Sequence, residues 1–415
     1  MTNVHVIGAG LAGLAAAVRL ASRGHKVTVH EGAGHAGGRC RSYFDDQLQM
    51  TIDNGNHLLM SANHEALSFL KIIGSEDSLE GPDDAVFPFF DVRTGQHWRV
   101  EPNKGLIPWW IFDKTKRVPG TTPLDYLSIG KFAFAGKSKT VDDLVTRDHP
   151  LYETFFEPFT IAVLNTSTAK GCAPLLWNVL IRTFAKGADG CRPLVAKEGL
   201  SESFVDPALA YLEKMGAAVH FNRRLREITR DGNRVTGLRF TKDDVAVADD
   251  DHVVLAIPPV PAQSALPELE VPTEFNAIVN AHMKLPPHNR PNEYQLLLGV
   301  IGGTADWIFR RGDIVSLTVS AADELAEKSA DEISDALWQD TAKALNLDVL
   351  DKPAIRIIKE KRATFAQTPD QVAKRPKTKS KWRHLWLAGD WTDTNLPATI
   401  EGAITSGFRA ADQIQ

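Results

Sequence analysis

Residues 4 to 13 read VHVIGAGLAG, and few folds can accommodate that order of residues. A short β-branched run breaks into Gly8, Gly10 and Gly13, then continues as LAAAVRLASRG. The run predicts a buried parallel strand, and the glycine turn predicts the start of a helix that Gly24 stops. VTVH at 27 to 30 predicts a second strand ending at Glu31. Such a strand–helix–strand unit binds a dinucleotide. Gly8 permits the tight turn, and Gly10 lets backbone approach a pyrophosphate held at the helix start, beside Leu11 and Ala12. Gly13 lets helix and strand pack closely. Glu31 lies 18 residues past Gly13, where a carboxylate accepts the adenosine ribose hydroxyls.

A second glycine box, EGAGHAGGRCRS at 31 to 42, separates two cofactors. A nicotinamide enzyme has no use for a glycine pair and an arginine beyond the acid-tipped strand. The pyrophosphate and ribityl chain of FAD do run past this point, so Gly37, Gly38 and Arg39 supply bare backbone and a guanidinium. A third anchor lies near the far end. HLWLAGDW at 384 to 391 predicts an apolar strand closing in Gly389 and Asp390, and a helix begins near Thr399, Ile400 and Gly402. An acid after a strand can hold a ribityl hydroxyl, and a helix start can stabilise negative charge on a reduced flavin. GVIGG at 299 to 303 lacks the spacing of a second fingerprint and predicts a strand and turn, with no separate NAD(P)H domain.

If both ends build one nucleotide domain, the chain must leave it and return. At 415 residues it exceeds what one core usually organises. The expected class is α/β: a Rossmann-type FAD-binding domain from 1–79, 196–264 and 381–415, with a discontinuous α+β substrate domain from 80–195 and 265–380. Leu225, with Gly216, Val219 and Ile228, is expected on backbone beside the adenine. A net charge of −5 gives no reason to expect nucleic acid. Three scattered cysteines support neither a disulfide framework nor a metal cluster and fit a reducing compartment. The opening strand leaves no room for a signal peptide and no apolar stretch reaches membrane-spanning length, so a cytoplasmic protein is expected.

The substrate segments are rich in large apolar residues. GLIPWWIF at 105 to 112, flanked by Lys114, Lys116 and Arg117, suits an apolar lip resting in a membrane interface through Trp109 and Trp110. VAKRPKTKSKWR at 372 to 383 reads as a solvated basic loop or an attraction to anionic headgroups.

GAGLAG, Glu31, GGRCRS, DNGNH at 53 to 57, VVLAIPP at 253 to 259 and LAGDWTDTNLPATIEGAITSG together resemble the flavin amine oxidase and carotenoid desaturase superfamily. IDNGNHLLMSAN, RVPGT, FEPFTIAVLNT, GCRPLVA, IVNAH and KEKRATFAQTP are similar to the bacterial hydroxysqualene dehydroxylases, over nearly the whole chain. The resemblance implies amine-oxidase topology and FAD, with Asn54 and Gly55 among the cofactor contacts. It also implies reductive removal of the hydroxyl of hydroxysqualene, giving squalene for hopanoid synthesis, with electrons from an external donor. Such chemistry needs an acid near the hydroxyl and a dry channel for two prenyl arms. The candidates for the acid, in order, are Asp53, His57, Glu157 and His282. Two other readings stay open. A desaturase or amine oxidase would run in the opposite redox direction; many amine oxidases place a lysine near the flavin on a strand after VVLAIPP, and here only Lys284 is available. A non-catalytic prenyl-binding escort of this fold would have lost GGR and GD, which are present.

Overall fold

The computed structural model describes residues 2–289 and 296–415. Its first sheet is parallel throughout, in the order Ala218–His220, Lys26–His30, Asn3–Ile7, His252–Leu255, Leu385–Leu387. The strands are short and apolar because both faces are covered. On one face lie the helices Leu11–Ser22 and Ile400–Asp412. Their approach is close enough that a Cβ at Gly407 would overlap the carbonyl oxygen of Ala12. On the other face sit Pro259–Ala265 and a three-stranded antiparallel sheet, Leu225–Asp231, Arg234–Phe240 and Asp244–Ala246.

The second sheet has seven strands, ordered Ile355–Phe365, Phe275–Lys284, Ile314–Val319, Trp307–Arg311, Leu297–Ile301, Phe87–Asp91, His97–Val100. All pairings are antiparallel except Leu297–Ile301 with Phe87–Asp91. GVIGG is the end of a strand and a turn, with Gly302 at φ 72°. The two-residue period of the strand Phe275–Lys284 separates its faces. Ala277, Val279, Ala281 and Met283 pack in one cluster with Ile333, Leu337 and Trp338 of the helix Ala330–Leu345. Ile278 and Asn280 point the other way, into a cavity. A domain boundary at 195/196 would fall inside the strand Pro193–Ala196. That strand pairs with both Leu59–Met60 and Leu79–Glu80, so it ties neighbouring segments together where the sequence suggested a cut.

His30 ends the strand Lys26–His30, 1% exposed, with its ring between those of His5 and His220. Burial, then the neighbouring His5 and Arg223, lowers its pKa to about 3. An unfolded histidine titrates near 6.5, so below that pH the unfolded chain takes up a proton that the fold refuses. The stability His30 contributes is therefore complete above about pH 6.5 and declines as pH falls toward 3. Denaturant titrations at about pH 7.5 and 5 are expected to differ by on the order of 2 kcal/mol from this residue. His30→Phe should remove that share of the difference; an unchanged pH dependence would contradict the assignment.

Candidate functional site

One cavity of about 820 Å³ is walled by the loops that follow strands of the parallel sheet and by strands of the seven-stranded sheet. At its polar end Gly8 adopts φ 106°, with a Cβ position only 2.6 Å from the Ala256 carbonyl oxygen. Around a Cβ at Gly10 there is open space. That is the cradle the pyrophosphate of a dinucleotide needs: backbone exposed at a helix start, with no side chain in the way. Gly13 lies behind it, where a Cβ would overlap the Gly8 carbonyl oxygen. Leu11 and Ala12 line the cavity, whereas Gly13 packs the turn. Glu31 accepts from Ala9 N through one carboxylate oxygen and from Ala33 N through the other, each at 2.7 Å. Each oxygen keeps a further lone pair for a ribose hydroxyl.

The two glycine boxes touch. Gly37 N donates to Ala9 O at 2.8 Å, and Gly10 and Gly37 form an isolated parallel bridge. Gly37 and Gly38 both have positive φ, which leaves the chain flat against Gly10. Arg39 pairs with Asp390 at 2.8 Å and donates to the Ala363 carbonyl, so the second box is tied to the third anchor. The Asp390 charge raises the guanidinium pKa further, and Arg39 is a fixed cation. Gly389 N donates to Ser406 Oγ at 2.7 Å, and Trp391 Nε1 to Ile257 O at 3.0 Å, closing the loop over the IPP segment. Thr399 caps the helix Ile400–Asp412 by accepting from Gly402 N at 3.2 Å; Thr399 and Ile400 line the cavity. Gly402 itself leaves room for the Pro397 carbonyl. Glu401 also lines the cavity and accepts from Ala66 N at 2.8 Å, holding the helix His64–Ile73 at its start.

The DNGNH segment runs across the cavity face of the seven-stranded sheet. Asn54, Gly55, Asn56 and His57 line the cavity, but Asp53 does not. It is buried, accepting from Ser42 Oγ at 2.6 Å and Leu200 N at 2.9 Å, and pairs with Arg311 at 3.0 Å. His282 lies behind it, completely buried, its Nδ1 2.8 Å from Ser316 Oγ. Burial lowers its pKa to about 4, with the Asp53 charge opposing. Glu157 begins the helix Glu157–Leu164; its neighbours Pro158 and Phe159 line the cavity and it does not. Burial, then Glu153, raises its pKa. Of the four acid candidates only His57 faces the cavity. Burial lowers its pKa to about 4, so near neutrality it is an uncharged imidazole with one N–H to donate.

Three other expectations need correction. Leu225 belongs to the separate three-stranded sheet and packs against its core; the backbone beside Glu31 is instead at His220 and Arg223. Of the two tryptophans, Trp109 is 62% exposed, but Trp110 turns inward against Tyr126. In the basic run, Arg375 is buried and donates to the carbonyls of Asp390 and Thr392 and to Thr394 Oγ1, so it secures the Asp390 loop from below. Lys284 is exposed, 3.9 Å from Asp313 and outside the cavity; Ile278 occupies the cavity face of that strand.

Beyond the cradle the cavity becomes an aromatic chamber, walled by Phe87, Phe89, Phe155, Phe159, Trp307 and Phe309. Among the described residues no cluster of histidine, cysteine and acid could hold a metal. The three cysteines are free and buried.

Residues 11–415 match the family model for flavin containing amine oxidoreductases. The chain is 45% identical over 413 residues to the hydroxysqualene dehydroxylase of Rhodopseudomonas palustris, covering 99% of this chain and 98% of that one. It is 42% identical to the hydroxysqualene dehydroxylase of Sinorhizobium fredii, covering 99% and 97%. Among solved structures, cyclohexylamine oxidase from Brevibacterium oxydans matches with a TM-score of 0.72 at 15% identity, covering 100% of this chain and 98% of its own; at that identity the likeness is one of fold. The glycine cradle, the Glu31 carboxylate and the Arg39–Asp390 pair fit FAD, which is the cofactor. The chain is thus an FAD-dependent oxidoreductase of the flavin-containing amine oxidoreductase family, and within it belongs with the hydroxysqualene dehydroxylases.

Proposed function

We propose that the protein reduces hydroxysqualene to squalene. The allylic C–O bond breaks, a C–H bond forms, and the oxygen leaves as water after gaining a proton. Two electrons enter from an external reductant, and bound FAD supplies hydride-transfer chemistry. The observation that carries the reading is the joining of a flavin cradle to an aromatic chamber in one cavity. Aromatic walls suit long prenyl arms and offer a departing hydroxyl little water. His57, neutral and at the junction, is the group we assign to hold a proton near that oxygen. Among the described residues no lysine lines the cavity, which sets the site apart from the amine oxidase pattern. Incubating dithionite-reduced holoenzyme with hydroxysqualene and extracting the lipid is expected to yield squalene; unaltered substrate would count against the reading.

The same reading assigns the membrane as the source of substrate. No helix among the described residues is long and apolar enough to cross it. The support is a surface: Leu106, Ile107, Trp109, Phe112, Leu124, Leu127 and Phe134 are all exposed between residues 104 and 139. That stretch carries seven basic and two acidic side chains in a chain whose net charge is −5. Apolar side chains inside a basic rim suit an anionic bilayer surface. The patch also abuts the cavity wall, since Lys104 bridges to Gly187 and Gly187 N donates to the carbonyl of Phe184, a lining residue. Replacing Trp109, Phe112 and Leu127 by serine is expected to weaken flotation with phosphatidylglycerol-containing vesicles by at least about tenfold. Flotation equal to wild type would remove this part of the proposal.

A further inference from the structure

Asn280 is a buried amide between the apolar residues Val279 and Ala281 of its strand. It is 2% exposed and lies on the cavity face of Phe275–Lys284, opposite the face that packs with the helix Ala330–Leu345. A buried amide is costly unless its donors and acceptor are matched. Its oxygen is matched: Oδ1 accepts from Thr318 Oγ1 at 2.9 Å, with Asn56 N at 3.5 Å behind. Thr318 Oγ1 in turn accepts from Asn56 Nδ2 at 3.0 Å, and Asn56 Nδ2 also donates to the Leu317 carbonyl at 3.1 Å.

This chain of bonds has one direction. A carbonyl can only accept, so the Leu317 contact fixes which end of the Asn56 amide is nitrogen. Thr318 then receives a proton from Asn56 and has its own to give, to Asn280. The backbone N–H of Asn56 points at the same oxygen, so the Asn280 amide is held with its nitrogen outward. Nδ2 has no protein acceptor among the described residues. It lies over Gly55, where a Cβ would stand 3.1 Å away and crowd it. The network thus ends in N–H donors presented at the wall that also holds Trp307 and Phe309.

Donors fixed in apolar surroundings select for a ligand with an uncharged oxygen there, and leave a hydrocarbon with nothing to offer them. Resting on the dehydroxylase reading, we propose that Asn280 Nδ2 donates to the hydroxyl oxygen of the isoprenoid alcohol, and that this contact distinguishes substrate from hydrocarbon product. Asn280 holds the oxygen in place, Thr318 and Asn56 act by positioning the Asn280 amide, and the product leaves because it cannot make the contact.

The test is equilibrium binding to oxidised holoenzyme without reductant, read from the perturbation of the visible flavin spectrum by hydroxysqualene and by squalene. Wild-type protein is expected to favour the alcohol by about tenfold, and Asn280→Leu to bring the two affinities close to equal at unchanged FAD content. Thr318→Val, which leaves the amide in place but unfixed, should lower the preference part of the way and stands in if Asn280→Leu does not fold. A wild-type preference retained in full by Asn280→Leu or by Thr318→Val would overturn the inference alone. Loss of FAD from Asn280→Leu would overturn it too, by making the amide a cofactor contact. A wild-type protein that does not favour the alcohol would also overturn this inference, whereas the dehydroxylase reading falls only if reduced holoenzyme leaves hydroxysqualene unaltered.

Discussion

Gly13→Ala is expected to give little folded protein, whereas Gly10→Ala is expected to fold with wild-type stability and lack FAD. A Cβ at Gly13 would overlap the carbonyl oxygen of Gly8. Gly8 cannot retreat, because it already abuts the Ala256 carbonyl on its other side. Overpacking costs about 1–3 kcal/mol where neighbours can adjust, and here both neighbours are backbone at the ends of adjacent parallel strands. Gly10 differs in kind. Its backbone is extended, at φ −72° and ψ 174°, which any residue adopts, and no atom lies within 4 Å of the position a Cβ would take. The methyl group would meet only the pyrophosphate. Soluble yield, the melting temperature of the apoprotein and flavin absorbance after purification separate the two effects. FAD retained by Gly10→Ala would move the pyrophosphate elsewhere.

Glu31→Ala should lose both cofactor affinity and stability. Both carboxylate oxygens are occupied by backbone amides, Ala9 N in the first glycine box and Ala33 N in the approach to the second. Removing them leaves two donors without an acceptor, at about 1–3 kcal/mol each. The ribose contacts disappear as well, and FAD affinity is expected to fall by about a hundredfold. Glu31→Gln keeps one accepting oxygen but turns an N–H₂ group toward the other amide, so it should fall between. Fluorescence titration of apoprotein with FAD measures the first effect, thermal melting of the apoprotein the second. A variant that loses FAD affinity with an unchanged apoprotein melt would mean that the acid does not brace the two glycine boxes.

What was legible in the sequence depends on how local the physics is. The turn at Gly8, the open backbone at Gly10 and the acid at Glu31 all lie within one strand–helix–strand unit, so spacing alone carries them. Asp53 is a counterexample. DNGNH places it beside cavity residues, yet its partners are Ser42, Leu200 and Arg311, and no local pattern announces an arginine 258 residues away. His282 is hidden for the same reason, its surroundings being set by cross-strand pairing with Ser316 and Arg356. Adjacent tryptophans in a short 3-10 turn point in different directions, and sequence cannot say that Trp109 faces out while Trp110 faces in. Leu124, Leu127 and Phe134 escaped notice because a loose 3-10 segment has no sharp apolar period. Asn280 did leave a sign, an amide among the apolar residues of AIVNA, whose meaning depended on knowing which face the strand turns to the cavity.

The direction of electron flow is what an anaerobic single turnover decides. Photoreduced holoenzyme is mixed with hydroxysqualene, flavin reoxidation is followed optically, and the lipid is extracted at intervals. Squalene is expected to appear in step with reoxidised flavin, one molecule for each. Flavin that stays reduced over intact hydroxysqualene, together with reduction of the oxidised enzyme by a polyene or an amine, would contradict the dehydroxylase reading and establish the opposite redox direction.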